Sequence, residues 1–208
     1  PEVQRAMSYG DMWVPIPEMD RPVEDIEGGG IPVHIWGDPA APSLVTVVGT
    51  LDSLDLRGAS IVFHFLPNPA DPVSLAVARG AAAARQQGVL EGYLRGIIAV
   101  RAQSGVKGQR TDLDGDQLSL VAVGLQQHGL NIEQWEEDRA SGAVRALIDE
   151  DLAVGAQVGV RAAPTWFIDG YRLRGAQSVH ALQGVLDRAR EDRSAGTAPS
   201  GPPPTKGH

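Results

Sequence analysis

The chain is 208 residues long, 42% hydrophobic and 21% charged, a balance that suits an ordinary hydrophobic core and excludes wholesale disorder. It contains no cysteine, which excludes a disulfide scaffold, a Cys-ligated zinc or iron–sulfur site and any thiol nucleophile among these residues. A net charge of -8 repels phosphate backbones and anionic membrane surfaces, so no nucleic-acid partner is expected.

Taken in chain order, residues 1–30 combine Pro1, Pro15, Pro17 and Pro22 with acids from Glu2 to Glu27 and end in Gly28-Gly29-Gly30. Their few apolar residues follow no helical period. They read as an extended arm lying on a surface through Trp13, its own domain's or a partner's, or as a solvated linker. The first residue is not Met, from which we expect that something upstream was removed. No signal peptide is visible, and the apolar runs have strand length, too short for a transmembrane segment.

Ile31–Trp36 alternates as a strand, Gly37–Pro42 is turn material, and Leu44–Val48 reads as a continuous buried strand. Ser60–Phe65 is a further strong strand. Asp71-Pro72 is then an N-cap with proline at the first helical position, opening a helix over Val73–Gln87. Helices follow over Val89–Gln103, Asp116–His128, Ile132–Ala140 and Ala143–Gln157, the third capped by Asn131 with Gln134 three residues on. Residues 164–174 read as a β-hairpin turning at Asp169-Gly170, and Ser178–Asp192 as a last amphipathic helix. Residues 194–208 form a Pro- and Gly-rich tail expected to be disordered. Strands, a helical block, then hairpin and helix make an α/β sandwich with an inserted helical domain.

The segment Gly159-Val160-Arg161-Ala162-Ala163-Pro164-Thr165-Trp166-Phe167-Ile168-Asp169-Gly170, continuing to Gly175-Ala176-Gln177, resembles the DsbA-like branch of the thioredoxin-fold family. His128-Gly129-Leu130-Asn131 with Trp135, Asp138, Asp149 and Leu152 is similar to that family's helical insertion, and Gly37–Pro42 to its first-strand entry. The resemblance implies a domain over 31–193 with the insertion at about 72–157. It also implies a cis bond at Ala163-Pro164, and a loop of Ala163, Pro164 and Thr165 whose backbone meets bound peptide. An X–Pro bond is the one place where a cis peptide is cheap.

The family carries a Cys-x-x-Cys at the start of its first crossover helix, and here there is none. With Leu44–Val48 as a strand, residues 49–59 leave eleven positions before the next strand. A parallel crossover needs about a dozen or more, so the first crossover helix is expected to be truncated or missing. Either the chain is a degenerate, non-redox member, or a segment carrying the cysteines is absent near Ser53–Leu54. Ser53 stands near the first cysteine's place and is a candidate for holding a cofactor thiol by hydrogen bond, although no adjacent base is visible.

Other candidates reduce to ordinary structure. Asp112, Asp114 and Asp116 alternate like a calcium loop, but Gln117 and Val123 occupy the required Gly and Glu positions. The histidines show no i, i+4 pairing, so no metal is expected, and His64 reads as a hydrogen-bonded core residue. Glu133, Glu136, Glu137 and Asp138 read as a solvated helix face. No cofactor is implied. The expected function is that of a non-redox binding or structural subunit, outside the cytoplasm by resemblance. Its protein partner would be met through the cis-Pro edge and the arm; the alternative is an oxidoreductase or a thiol-cofactor transferase.

Overall fold

The structure, a computed structural model, describes residues 14, 16–17, 30–103, 113 and 115–196. Four strands occur there: β1 (Ile31–Gly37), β2 (Ala59–Phe65), β3 (Thr165–Ile168) and β4 (Tyr171–Arg174). The helices, in chain order, are α1 (Leu44–Ser53), α2 (Pro72–Gln86), α3 (Leu90–Gln103), α4 (Gly115–Leu125), α5 (Ile132–Ala140), α6 (Gly142–Gln157) and α7 (Val179–Ser194). A 3-10 turn, Gln126–His128, follows α4. No helix among the described residues is long and apolar enough to cross a membrane.

The strands form one sheet in the order β2-β1-β3-β4. Bonds from Ile31 N to Gly58 O and from Leu66 N to Gly37 O, both 2.8 Å, set β1 and β2 side by side in the same direction. β3 runs antiparallel to β1 and to β4, with Trp36 opposite Thr165 and Thr165 opposite Arg174. The hairpin turns through Asp169 (φ 50) and Gly170 (φ 87), the left-handed pair that a tight Asp-Gly hairpin requires.

The described residues fall into two compact units, one of Gly49–Phe63 with the residues up to Trp36 and from Val158 onward, the other of Gly37–Val48 and His64–Gln157. In the first unit α7 packs on β3. Its cap is Ser178, whose hydroxyl accepts from Ala181 N, and its buried stripe is Ala181, Leu182, Val185, Leu186 and Ala189, the i, i+4 pattern of a helix with one covered face. The same helix pins the loop before β2. Gln183 Oε1 accepts from Asp55 N at 2.8 Å, and Arg190 donates to the Asp55 and Arg57 carbonyls.

The hydrogen bonds from the Arg57 side chain hold the Asp55 carboxyl well below the usual carboxylate range. A depressed acid stabilises the fold above its unfolded pKa of about 4 and loses that contribution as pH falls further. Asp55→Asn should therefore lower the denaturation midpoint slightly at pH 7, and the gap to the parent should close towards pH 3. A gap that does not narrow at all as pH falls from 5 to 3 would show that the charge is not its source.

In the second unit α2 touches α3, α5 and α6, and α3 touches α4. Ala81, Ala82, Ala83 and Ala84 are all fully buried. Their small side chains leave room for large neighbours: Trp135 Nε1 donates to Gly80 O at 2.8 Å, and the Tyr93 ring lies 5.9 Å from the Trp135 ring. Asp71 accepts from Val73 N and Asn131 from Gln134 N, as N-caps should.

Leu44–Val48 is not a strand but the first half of α1. Leu44, Val47 and Val48 are buried, Thr50 is buried and Leu51 half-buried, while Val45, Thr46, Gly49 and Asp52 face out. That is the i, i+3, i+4, i+7 spacing of a helix, and it outweighs the β-preference of the three valines. The first crossover helix, expected to be truncated or missing, is therefore present as ten residues between β1 and β2. The short connection that suggested an absent segment at Ser53–Leu54 disappears with the false strand.

Candidate functional site

The start of the crossover helix lies at Ala41–Leu44. Ser53 is the last residue of α1, and its hydroxyl donates to Gly49 O at 2.8 Å. It stands at the far end of the helix from the place reserved for a reactive thiol. At the near end, Ala41 O accepts from Leu44 N at 3.1 Å and Asp38 O accepts from Ala41 N at 2.9 Å. Asp38 Oδ1 takes Ala40 N at 2.8 Å. From α3, the Arg101 guanidinium donates to the Ala40 and Ala41 carbonyls. Every backbone polar group of Ala40 and Ala41 is thus engaged within the protein. Pro42, Val45 at 55% exposure and Thr46 face out here.

Ala41 half-buried and Leu44 buried, joined by an i to i+3 bond, have the spacing of a Cys-x-x-Cys pair. The turn geometry brings their Cα atoms within about 7 Å, close to disulfide range. The double change Ala41→Cys with Leu44→Cys is expected to close to an internal disulfide on mild oxidation, read as the loss of two hydrogens by mass. Ser53→Cys with Ala41→Cys should not close. Free thiols in the first variant would show that the helix starts elsewhere.

At the other candidate site, the Ala163-Pro164 bond is cis. The loop ahead of it is tied down on each side. Arg172 Nη1 donates to Val158 O at 3.1 Å, and Gly159 (φ 80) has that guanidinium where a Cβ would lie. Thr165 Oγ1 donates to Ala162 O at 2.7 Å, and Pro164 O accepts from Gly175 N at 2.8 Å. Pro164 and Thr165 are buried and Ala163 half-buried, while Arg161 and Ala162 stand exposed between the ties. Arg161 lies outside the three residues, Ala163, Pro164 and Thr165, that the resemblance assigns to peptide contact. The side chain was legible in the sequence; its exposure was not.

Trp13 lies outside the described residues, as do Asp112, Asp114 and residues 197–208. Of residues 1–30, Val14, Ile16 and Pro17 are half-buried, and Val14 N donates to Gly170 O, in the hairpin turn, at 2.9 Å. His64 is a hydrogen-bonded core residue: its Nδ1 lies 2.6 Å from Asp151 Oδ1, with both side chains at 0% exposure. Asp151 Oδ2 accepts from Phe65 N at 2.9 Å. Asp116 sits in the first turn of α4. Among the described residues no group of three His, Asp or Glu side chains is placed to hold a metal ion.

A four-stranded mixed sheet, a crossover helix and a cis-proline opening β3 define a thioredoxin-fold domain. The family model of the DSBA-like thioredoxin domain matches residues 50–187, more than half of the chain, and the protein belongs to that family. The thiol-disulfide exchange protein alpha-DsbA2 of Wolbachia pipientis superposes with a TM-score of 0.64 at 15% identity, over 84% of this chain and 89% of that one. A thioredoxin-like oxidoreductase of Silicibacter pomeroyi superposes at 0.58 with 26% identity, over 78% and 88%. The chain is also 30% identical over 146 residues to a Na(+)/H(+) antiporter NhaA of Herminiimonas arsenicoxydans. That match covers 70% of this chain and 21% of the antiporter, so the chain spans about a fifth of that relative's length.

Proposed function

We propose that this DsbA-like domain is a non-redox binding module, working outside the cytoplasm on a membrane transporter of the Na(+)/H(+) antiporter class. The observation that carries the non-redox part is Ala41 and Leu44 at the start of α1, in a chain without a cysteine. Thiol–disulfide exchange needs a thiolate to attack and a sulfur to leave, and these residues supply neither. The retained cis-Pro164 loop, held by Arg172 and Thr165, supports contact with polypeptide. The likeness to a fifth of an antiporter supports the choice of partner.

The test mixes purified domain with vesicles carrying an NhaA-type antiporter and with empty vesicles. Co-sedimentation with the loaded vesicles alone is the expected result. Equal pelleting with both overturns the partner, and catalytic disulfide exchange by the natural protein overturns the non-redox reading.

A further inference from the structure

The cis-Pro loop carries a local charge opposite in sign to that of the whole chain. Arg161 is exposed three residues before Pro164, and its Nη1 donates to the carbonyl of Val160 at 3.1 Å. Arg174 is exposed at the end of β4, directly across from Thr165, the residue after Pro164. The Gly175 N to Pro164 O bond fixes Arg174 against that loop. Among the described residues neither guanidinium is paired with a carboxylate, unlike Arg57, Arg95, Arg139, Arg190 and Arg193. Two uncompensated cations thus flank one turn on a chain of net charge -8.

We infer that the cis-Pro edge selects an acidic, extended polypeptide segment, with Arg161 and Arg174 as its specificity-determining residues. This rests on the binding reading above and adds the chemistry of what is bound. The recognition is short-range. At about 0.15 M salt the Debye length is about 8 Å, so the distant acids are screened while a carboxylate at the loop still meets both guanidinium groups. Planar forks of this kind take carboxylates in bidentate fashion. The ties at Val158, Ala162 and Pro164 hold the loop before the partner arrives, so little ordering entropy is lost on binding. Extracytoplasmic loops of membrane proteins are poor in Lys and Arg, which leaves room for such an acidic segment in a transporter.

The experiment titrates three labelled peptides of about ten residues, with Glu, Lys or Ser at alternate positions, into the natural domain at physiological salt. The Glu peptide is expected to bind tightest. Arg161→Ser and Arg174→Ser should each weaken it by about two- to fivefold, without shifting the thermal midpoint. Changing both to Glu should reverse the order in favour of the Lys peptide. Equal affinity for the Glu and Lys peptides, or an order unchanged by double reversal, overturns this inference alone. Failure of all three peptides to bind overturns the binding reading beneath it as well.

Discussion

Asp151→Ala should cost about 3–5 kcal/mol, the loss expected when one partner of a buried pair is removed. The carboxylate sits at 0% exposure and serves two donors at once, His64 Nδ1 at 2.6 Å and the Phe65 amide at 2.9 Å. Deleting it takes a buried hydrogen bond from each, and losing a buried acceptor costs more than a hydrogen bond gains. A domain of ordinary stability holds about 5–15 kcal/mol, so the variant should fold but melt early. Asp151→Asn keeps one acceptor oxygen and should lose less. Replacing His64 and Asp151 together by Leu should recover part of the loss, because both partners of the buried pair are then removed at once. Denaturant titration of the four proteins decides it. A loss below about 1 kcal/mol for Asp151→Ala would mean that water reaches the pair.

The second large effect is steric. A Cβ on Gly80 would fall on the Tyr93 hydroxyl, 2.8 Å from Tyr93 Cζ and 3.0 Å from Trp135 Cζ2. On an exposed helix, Gly→Ala stabilises by about 1 kcal/mol. Here the overpacking reverses the sign, and Gly80→Ala should cost about 1–3 kcal/mol. Tyr93 makes the diagnosis specific. Its hydroxyl is buried with no hydrogen-bond partner among the described residues, and burial pushes its pKa above the ordinary tyrosine value. Tyr93→Phe should therefore be neutral or slightly stabilising, and in its presence the Gly80→Ala penalty should shrink. Strict additivity of the two changes in denaturant titrations would refute the proposed contact.

The two halves of the fold were unequally legible in the sequence. Asp71-Pro72, Asn131 with Gln134, Ser178 and Asp169-Gly170 each mark an element boundary found within a residue or so of its expected place. These are local signals: a cap or a left-handed turn lowers the free energy of its own few residues whatever else the chain does. Leu44–Val48 misled because an apolar, β-branched run of five suits a strand or a buried helix equally well. The helical period shows only when Leu51 and the outward Thr46, Gly49 and Asp52 are read with it. Ser53 has the same explanation: if Leu44–Val48 is a strand, the expected helix start falls at Ser53, which is the true helix end.

By itself the sequence determined that no thiol chemistry is available among these residues, that a helical block interrupts an α/β fold, and that the Pro164 segment follows the DsbA-like pattern. Those facts depend on composition and on contacts between near neighbours. Only the tertiary structure decided that Arg101 covers the Ala40 and Ala41 carbonyls, that Asp151 meets His64 across 87 residues, and that Arg174 stands beside Thr165 at the cis-Pro turn. Such pairings leave no periodic trace along the chain. Each partner is an ordinary residue in its own segment, and topology alone brings the two within hydrogen-bonding reach.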